Sequence, residues 1–393
     1  MRSTTVITPA PQKHMNEKKL KLGIDEFTIT IFPQKNTIIT KWINTASSII
    51  EHFSNTTKIE SILNGKLEEM NHNKLQGYTK AYNLGSKDYY FCIAYNENHP
   101  DMGVCVRFSA KAWALYQASY RLKYSDSILL PDFLKQIAFN SNYVIRLTRI
   151  DLTADYFNYS LNLSMFYNKI VNKEILIQNS SGRCTIKNIS FFGKNEKVET
   201  IYIGSRTSNS KGFLRIYDKR KEQLSNNGFR IKEAIKCESW IRFEAVFKGK
   251  YAHIISEYIT NNSMNQNDLV SLIAQLIAEK YRLYECKTND YMMCTKELLA
   301  ISNGSKNGIL RCESPRDASL TQNISHIRCG SGFYPTLFKI ENLYGNEKVS
   351  SFIIFLFNEY KSGNWKTKSM IKELNLWLEK HKDLKNILLE DNY

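Results

Sequence analysis

The chain has 393 residues, of which 42% are hydrophobic and 23% are charged, both near the averages of globular proteins. This composition excludes a disordered or fibrous chain, and the length predicts two packed units rather than one. Lys and Arg total 54 against 38 Asp and Glu, so the formal net charge is +16. An excess of this size favours a polyanionic partner, either nucleic acid or an anionic membrane surface.

Two features argue against the membrane. The most apolar run, FIIFLF at 352–357, is far shorter than the ~20 residues of a spanning helix. The first residues also lack the apolar segment of a signal peptide. The eight cysteines form no CxxC pair, as expected for reduced thiols in the cytoplasm. The sequence therefore predicts a cytoplasmic protein that binds nucleic acid and not membranes.

The first part of the chain predicts one α+β unit. Residues 1–22 mix Thr, Pro and Lys without periodicity and are expected to form a flexible basic arm. Apolar and polar residues then alternate in strands and recur at helical spacing in helices. We expect residues 23–140 to contain a strand at 24–32, a helix at 37–53, strands near 78–84, 89–95 and 103–109, and a helix at 111–121.

The same order of elements returns between residues 141 and 262. We expect a strand at 148–157, a helix at 161–171, strands at 200–204, 213–219 and 240–247, and a helix at 251–259. Two β-α-β-β-β-α units in succession predict a duplicated α+β fold, with an antiparallel sheet that carries its helices on one face. The other face would be free to meet a ligand. Residues 263–393 predict a separate, mostly helical C-terminal region.

The direction of side chains in the second unit indicates a site. Successive strand residues point to opposite faces, so the apolar residues of 149–155, 213–219 and 241–245 sort to one face and the polar residues to the other. The polar set comprises Arg149, Asp151, Asp155, Arg215, Tyr217, Lys219, Arg242 and Glu244. An ordinary solvated strand face, with Arg and Asp paired across strands, is the alternative interpretation for any one of these strands.

Taken together, these side chains suit the cleavage of a phosphodiester. Carboxylate oxygens are the ligands preferred by Mg²⁺ or Mn²⁺. A bound metal would polarise the phosphate, and flanking Arg and Lys would stabilise the added charge of its transition state. Adjacent cations would also favour the phenolate of a tyrosine and so make it a nucleophile. The pattern therefore predicts transfer of a DNA strand onto the protein.

Three segments resemble the replication initiation factor (Rep_trans) family, which includes rolling-circle plasmid and phage initiators and MOBT relaxases of integrative conjugative elements. They are LTRIDLTADYF at 147–157, TIYIGSRTSNSKGFLRIYDKRKEQ at 200–223 and RFEAVF at 242–247. The runs IDEFTITIF at 24–32 and GVCVRFSAKAWALY at 103–116 resemble the earlier strands of the family, so the resemblance covers roughly residues 23–260.

The resemblance implies a TBP-like duplicated sheet and a metal-dependent nick in one DNA strand, with a tyrosine left on the 5′-phosphate. Carried over residue by residue, it implies Tyr217 as the nucleophile. Asp151 and Glu244, and with less support Asp155, would hold Mg²⁺ or Mn²⁺. Lys219 and Arg215 would act on the scissile phosphate beside the nucleophile. Further contacts with DNA are expected from Arg149, Arg206, Lys211, Arg220 and Arg242.

Other residues offer alternatives to this assignment. The seven histidines contain no His-x-His pair, which argues against a nicking enzyme that binds its metal through two histidines on one strand. Tyr202 is the rival nucleophile, whereas Tyr156 has the parity of the apolar set and is expected to be buried. Asp25 matches Asp151 in the first unit, but Arg107 stands at the place of Glu244, so the first unit is not expected to bind metal.

The sequence thus predicts a nickase and strand transferase that starts rolling-circle replication or conjugative transfer of a mobile element at its own origin. Its partners would be origin DNA, double-stranded and as the nicked single strand, and a host helicase, since no GxxxxGK[ST] motif is present. The C-terminal region is assigned to origin recognition or homodimer contacts. A non-catalytic protein that binds duplex DNA with the same sheet as a saddle is the alternative, and an RNA-binding protein is disfavoured because no RNP1-like motif occurs.

Overall fold

Ten described strands form one antiparallel sheet at the centre of the fold, and three more form a small second sheet. A computed structural model describes residues 17–34, 39–71, 75–85, 89–139, 142–184, 186, 188–194, 197–207, 210–302, 309–310, 320–329 and 331–380. The strands are β1 (Lys19–Pro33), β2 (Glu68–Glu69), β3 (Lys80–Asn83), β4 (Phe91–Tyr95), β5 (Val104–Phe108), β6 (Tyr143–Phe157), β7 (Ile175–Gln178), β8 (Ile189–Lys194), β9 (Lys197–Ile203), β10 (Gly212–Asp218), β11 (Trp240–Lys248), β12 (Arg282–Glu285) and β13 (Asp290–Tyr291).

Helices connect and cover these strands. They are α1 (Ile39–Thr57), α2 (Ile59–Ile62), α3 (Ala110–Tyr124), α4 (Leu130–Ala138), α5 (Leu163–Val171), α6 (Lys219–Ser225), α7 (Ile231–Lys236), α8 (Lys250–Asn261), α9 (Gln266–Lys280), α10 (Met293–Ile301), α11 (Leu320–Cys329), α12 (Phe333–Tyr344), α13 (Asn346–Ser362) and α14 (Lys368–Lys380). The mixed α+β class and the antiparallel sheet predicted from the sequence are confirmed. No described helix has both the length and the hydropathy needed to cross a membrane.

The order of strands in the large sheet is reciprocal about its centre. The long strands β1 and β6, of 15 residues each, lie side by side. Beyond β1 follow β5, β4, β3 and β2, and beyond β6 follow β11, β10, β9 and β8. Each side therefore presents a long central strand and then four strands of its own half in reverse order.

The inner face of this sheet is apolar and lies against helices. Leu214 and Ile216 of β10 are fully buried there, as their parity predicts. The same core contains Trp42 of α1, Phe133 of α4 and Ile277 of α9. Because burial of such side chains contributes about 1.5–3 kcal/mol each, this face holds the sheet and helices together.

The prediction that the helices share one face does not hold for α7. Trp240 and Phe157 are paired across β11 and β6 on the outer face of the sheet. Their rings lie 4.8 Å apart, and Ala234 of α7 packs with Trp240 and Cys237. An outward tryptophan needs an apolar cover, and α7 supplies it over one end of the outer face.

Two boundaries differ from those expected. Residues 19–22, expected in the basic arm, begin β1, and residues 1–16 of that arm lie outside the described residues. The first compact unit extends to Leu310 rather than ending near residue 262. The reason is α9, whose apolar side chains belong to the main core. The second unit follows after Leu310 and is helical where it is described, in α11 to α14.

Candidate active site

The register of three neighbouring strands brings the predicted polar residues onto one surface. Arg242 of β11 pairs with Asp155 of β6 on one side and with Tyr217 of β10 on the other. Glu244 pairs in the same way with Thr153 and with Arg215. Paired residues point to the same face of a sheet, so these side chains form two adjacent rows on the outer face.

Tyr217 is held by a carboxylate and flanked by two cations. Its hydroxyl donates a hydrogen bond to Oε2 of Glu244 at 3.1 Å, and Arg215 bonds Oε1 of the same carboxylate. Above the Tyr217 ring, the Arg215 guanidinium lies 5.3 Å and the Lys219 amine 5.6 Å from the centroid. Burial, and then the negative charge of Glu244, raise the pKa of Tyr217 well above its usual value. The phenol is therefore protonated and already points its proton at an acceptor.

Asp151 forms the second carboxylate centre. It is 1% exposed and accepts two hydrogen bonds from Arg149, at 2.8 and 2.7 Å. Burial raises the pKa of Asp151 to about 7 against the effect of Arg149, and the nearby charges of Glu244 and Glu26 add to the rise. Asp151 and Glu244 stand two positions apart in register on adjacent strands, so the buried site crowds like charges.

Asp155 lies farther along β6 than Asp151 and is bound by two arginines. It is four residues from Asp151 along β6, roughly 13 Å at the rise of a strand. Arg242 bonds both oxygens of Asp155 at 2.6 and 2.9 Å, and Arg230 adds a bond at 2.8 Å. Burial alone would raise the pKa of Asp155, but the two guanidinium groups lower it to about 2. These contacts describe an ion-pair network. Asp155 stands two positions from Glu244 in register, as Asp151 does, but four residues from Asp151.

A β-bulge in β1 adds two acidic residues that the parity argument missed. The register steps from Ile24 opposite Leu152 to Phe27 opposite Ile150, so Asp25 and Glu26 share one partner position. Both then reach the outer face, where Asp25 bonds Arg242 at 2.7 Å and Glu26 bonds Arg149 at 3.1 Å. Strict alternation would have placed them on opposite faces, and two acidic residues in succession within a strand were the available signal.

The donor set suits a divalent cation only in part. Within the described residues, no group of three or more His, Cys, Asp or Glu side chains is arranged to hold a metal ion. Asp151 and Glu244 nevertheless offer oxygen ligands from adjacent strands. Mg²⁺ is commonly held by one or two carboxylates together with water and substrate phosphates, so this pair fits such an ion. In the structure, Asp151 forms an ion pair with Arg149, and Glu244 forms one with Arg215.

The remaining residues predicted to contact DNA differ in their exposure and in their partners. Arg206 is exposed, and its guanidinium lies 4.2 Å from the centroid of the Tyr202 ring. Lys211 is exposed over the ring of Tyr251, at 5.6 Å. Arg220 donates from Nε to the carbonyls of Ala234 and Cys237 at 3.0 and 2.9 Å and so ties α6 to the end of α7. Its described bonds are thus structural.

The alternative tyrosines differ from Tyr217 in their surroundings. Tyr156 is 2% exposed and donates to the carbonyl of Cys294 at 2.9 Å, so the prediction that it is buried is confirmed. Tyr202 is paired with Arg215 on the outer face, and its ring lies beneath Arg206. Tyr217 has a hydrogen bond to a buried carboxylate in the centre of the cluster, which favours it over Tyr202 as the reactive hydroxyl.

Comparison with known proteins finds a family model that matches this region. Residues 145–299 match the family model of the replication initiation factors, which confirms the resemblance seen in the motifs over that segment. The matched segment contains all the predicted site residues. No curated protein sequence matches the chain significantly. A rolling-circle replication initiator protein from Geobacillus stearothermophilus has a similar structure at 16% identity and a TM-score of 0.48, covering 72% of this chain and 97% of that protein.

Proposed function

We propose that this protein nicks and rejoins one strand of DNA at a replication origin through a covalent 5′-phosphotyrosine. The observation that supports this most directly is the hydrogen bond from Tyr217 to buried Glu244, within the segment that matches the replication initiation factors. A hydroxyl with its acceptor in place and cations around it is the arrangement that a nucleophilic tyrosine needs.

The reaction assigns a role to each side chain. The phenolic oxygen of Tyr217 attacks the phosphorus of one phosphodiester while its proton passes to Glu244. The bond from phosphorus to O3′ breaks, and O3′ takes a proton from water and leaves as a free 3′-hydroxyl. Arg215 and Lys219, which flank the Tyr217 ring, would stabilise the charge that develops on the phosphate oxygens. Attack by a 3′-hydroxyl on the phosphotyrosine would reverse these steps and rejoin the strand.

Asp151 and Glu244 would hold Mg²⁺ or Mn²⁺ in this proposal. Such an ion would polarise the phosphodiester and lower the pKa of a neighbouring phenol. Its charge would also offset the repulsion between the two carboxylates. Arg149 and Arg215 would then be released from them to bind DNA phosphates. Asp155 is left in its network with Arg242 and Arg230, where it supports the fold.

The same proposal extends to the DNA and the proteins that would take part in the reaction. The reciprocal strand order is consistent with a duplicated, TBP-like unit, whose open outer face would meet origin DNA. The free 3′-hydroxyl would prime a host polymerase or start the conjugative transfer of a mobile element. A host helicase would unwind the duplex. The helical second unit would supply origin recognition or contacts in a homodimer.

A nicking assay with the element's own origin tests the proposal. Supercoiled DNA that carries this origin is incubated with Mg²⁺ or Mn²⁺ and wild-type protein, Tyr217→Phe or Tyr202→Phe. We expect open-circular product and a protein–DNA adduct with wild type and Tyr202→Phe, and neither with Tyr217→Phe. Removal of the phenolic oxygen should reduce nicking by several orders of magnitude, because this oxygen is the proposed attacking atom.

Two outcomes would contradict the proposal. An adduct with Tyr217→Phe that disappears in Tyr202→Phe would assign the chemistry to Tyr202. Tight origin binding by the wild-type protein without any nick would favour the saddle-like, non-catalytic alternative. Circular dichroism of each variant checks that loss of activity does not come from loss of the fold.

A further inference from the structure

Three aromatic residues share the outer face with Tyr217. On β9, Tyr202 is paired with Arg215 and Thr200 with Tyr217. On the edge strand β8, Phe192 is paired with Thr200. Phe213 stands two and four residues before Arg215 and Tyr217 on β10 and has their parity. We call Phe192, Tyr202 and Phe213 the aromatic strip.

The rings of the strip are accessible. Phe192 is 55% exposed, and Tyr202 and Phe213 are half-buried with their ring centroids 6.4 Å apart. The neighbouring Phe191 points to the other face, where its ring lies 4.8 Å from that of Tyr167 on α5. An exposed phenylalanine beside an active-site row leaves apolar surface in water, which a planar ligand would cover.

Cations accompany the strip. The Arg206 guanidinium lies over Tyr202, and the Lys248 amine lies 5.7 Å from the centroid of Phe213. Lys248 pairs with Arg149 in register, so the positive charge continues to the central strands. Flat rings interleaved with cations fit a chain of planar bases joined by phosphates.

A cavity extends from Phe192 of the strip to the proposed nucleophile. It has a volume of about 640 Å³ and is lined by Phe192, Thr200 and Tyr217 together with Lys197 and Lys221. This volume lies in the range of small-ligand sites. A nucleotide next to the scissile phosphate would therefore enter it beside Phe192.

We propose that the aromatic strip binds single-stranded DNA beside the nick, with bases stacked on Phe192, Tyr202 and Phe213. The location beside the nick rests on the proposed function, whereas the binding itself needs no cleavage. Bases in a duplex already stack on one another and are unavailable to flat rings, so the strip favours single strands over duplexes. Separated strands would be retained there between nicking and rejoining.

Fluorescence anisotropy with a fluorescein-labelled oligothymidylate of about 12 nucleotides tests this proposal, since OB-fold sites for single strands span about 4–16 nucleotides. All proteins carry Tyr217→Phe, so that no covalent product forms. We expect Phe192→Ala to raise the Kd at least about fivefold, because stacking of one base contributes about 1–3 kcal/mol. Phe192→Trp should restore the affinity, since it keeps an aromatic face.

Phe191→Ala is the matched control, because Phe191 has a similar exposure of 48% but faces α5. Its Kd for the oligothymidylate should equal that of the parent. A duplex of equal length should bind Phe192→Ala and the parent alike. Equal losses in the two alanine variants, or equal losses on single strand and duplex, would overturn the proposal. Weaker binding by Phe192→Ala would still support the aromatic strip if the wild-type protein failed to nick DNA. An unchanged Kd for Phe192→Ala would contradict the strip without affecting the result of the nicking assay. The two proposals can therefore fail separately.

Discussion

The outer faces of the two halves of the sheet differ although their strands follow the same order. In the first half, the outward residues Cys92, Ala94 and Ala81 form a small apolar cluster. Side chains from around β2 to β4 pack over it, namely Met70, Leu75, Tyr78 and Tyr90. In the second half, the outward residues are the charged and aromatic side chains of the candidate site. The first face is partly covered by its own chain, whereas the second carries ion pairs and is covered by α7 at one end.

This difference shows that the role of a residue in the sheet depends on which segment packs over it as well as on its register. Small and apolar outward residues allow a connecting segment to lie flat on the first half. Charged outward residues in the second half are instead paired with one another, and α7 covers only the end near Trp240. The two faces meet at β1, where Glu26 bonds Arg107 of the first half at 2.7 Å and Arg149 of the second at 3.1 Å.

The largest expected effect on stability comes from Arg242→Met. Arg242 is 1% exposed and bonds both Asp155 and Asp25, so its loss leaves buried negative charge without its main partner. We expect the free energy of unfolding to fall by about 3 kcal/mol. Urea denaturation followed by tryptophan fluorescence measures the change.

The matched change in the first half is Arg107→Met. The Arg107 side chain is 31% exposed, and its partner Glu26 keeps its bond to Arg149. The loss should therefore stay within about 1 kcal/mol. Equal losses for Arg107→Met and Arg242→Met would contradict the view that only the second half depends on buried charge pairs.

A pH series separates the two halves further. Because the folded-state pKa of Asp155 is lowered to about 2, below the ~3.9 of an unfolded aspartate, its contribution to stability is present above about pH 4 and is lost as pH falls towards 2. The wild-type protein should exceed Asp155→Asn in unfolding free energy by roughly 2–3 kcal/mol at pH 7. This difference should shrink steadily below pH 4.

Cys105→Ala is the first-half reference for that series. Burial raises the pKa of Cys105 to about 11, so the thiol stays protonated throughout the acid range. Its substitution should cost packing energy that does not change with pH. A pH-independent difference for Asp155→Asn would show that its ion pairs do not contribute to stability.

The smallest expected effect concerns how readily an alkylating reagent reaches cysteines on the outer face of the first half. Cys184 and Cys286 are exposed, whereas Cys92 and Cys105 are buried. Alkylation by iodoacetamide, followed at each cysteine by mass spectrometry, should label the exposed pair first, since burial protects a thiol and raises its pKa. Tyr78→Ala removes a ring from the cover and should accelerate labelling of Cys105 without changing that of Cys286. Rapid labelling of Cys105 in the wild-type protein would mean that this face is open.

Local patterns in the sequence predicted eight of the thirteen described strands, and alternation gave the directions of side chains within them. Alternation in β6, β10 and β11 placed Leu214 and Ile216 in the core and Arg215 and Tyr217 on the opposite face, because side-chain direction in a strand depends only on neighbouring residues. The class of fold and the polar residues of β6, β10 and β11 could be predicted for the same reason.

Only the tertiary structure decided which of those residues meet. The bulge that turns both Asp25 and Glu26 outward depends on how β1 pairs with β6. The ion-pair network of Asp155 depends on Arg230, which is 75 positions away in the chain. The place of α9 in the main core depends on packing against β1 and β6. These contacts join residues that are distant in sequence, so no local pattern of hydrophobicity or charge encodes them.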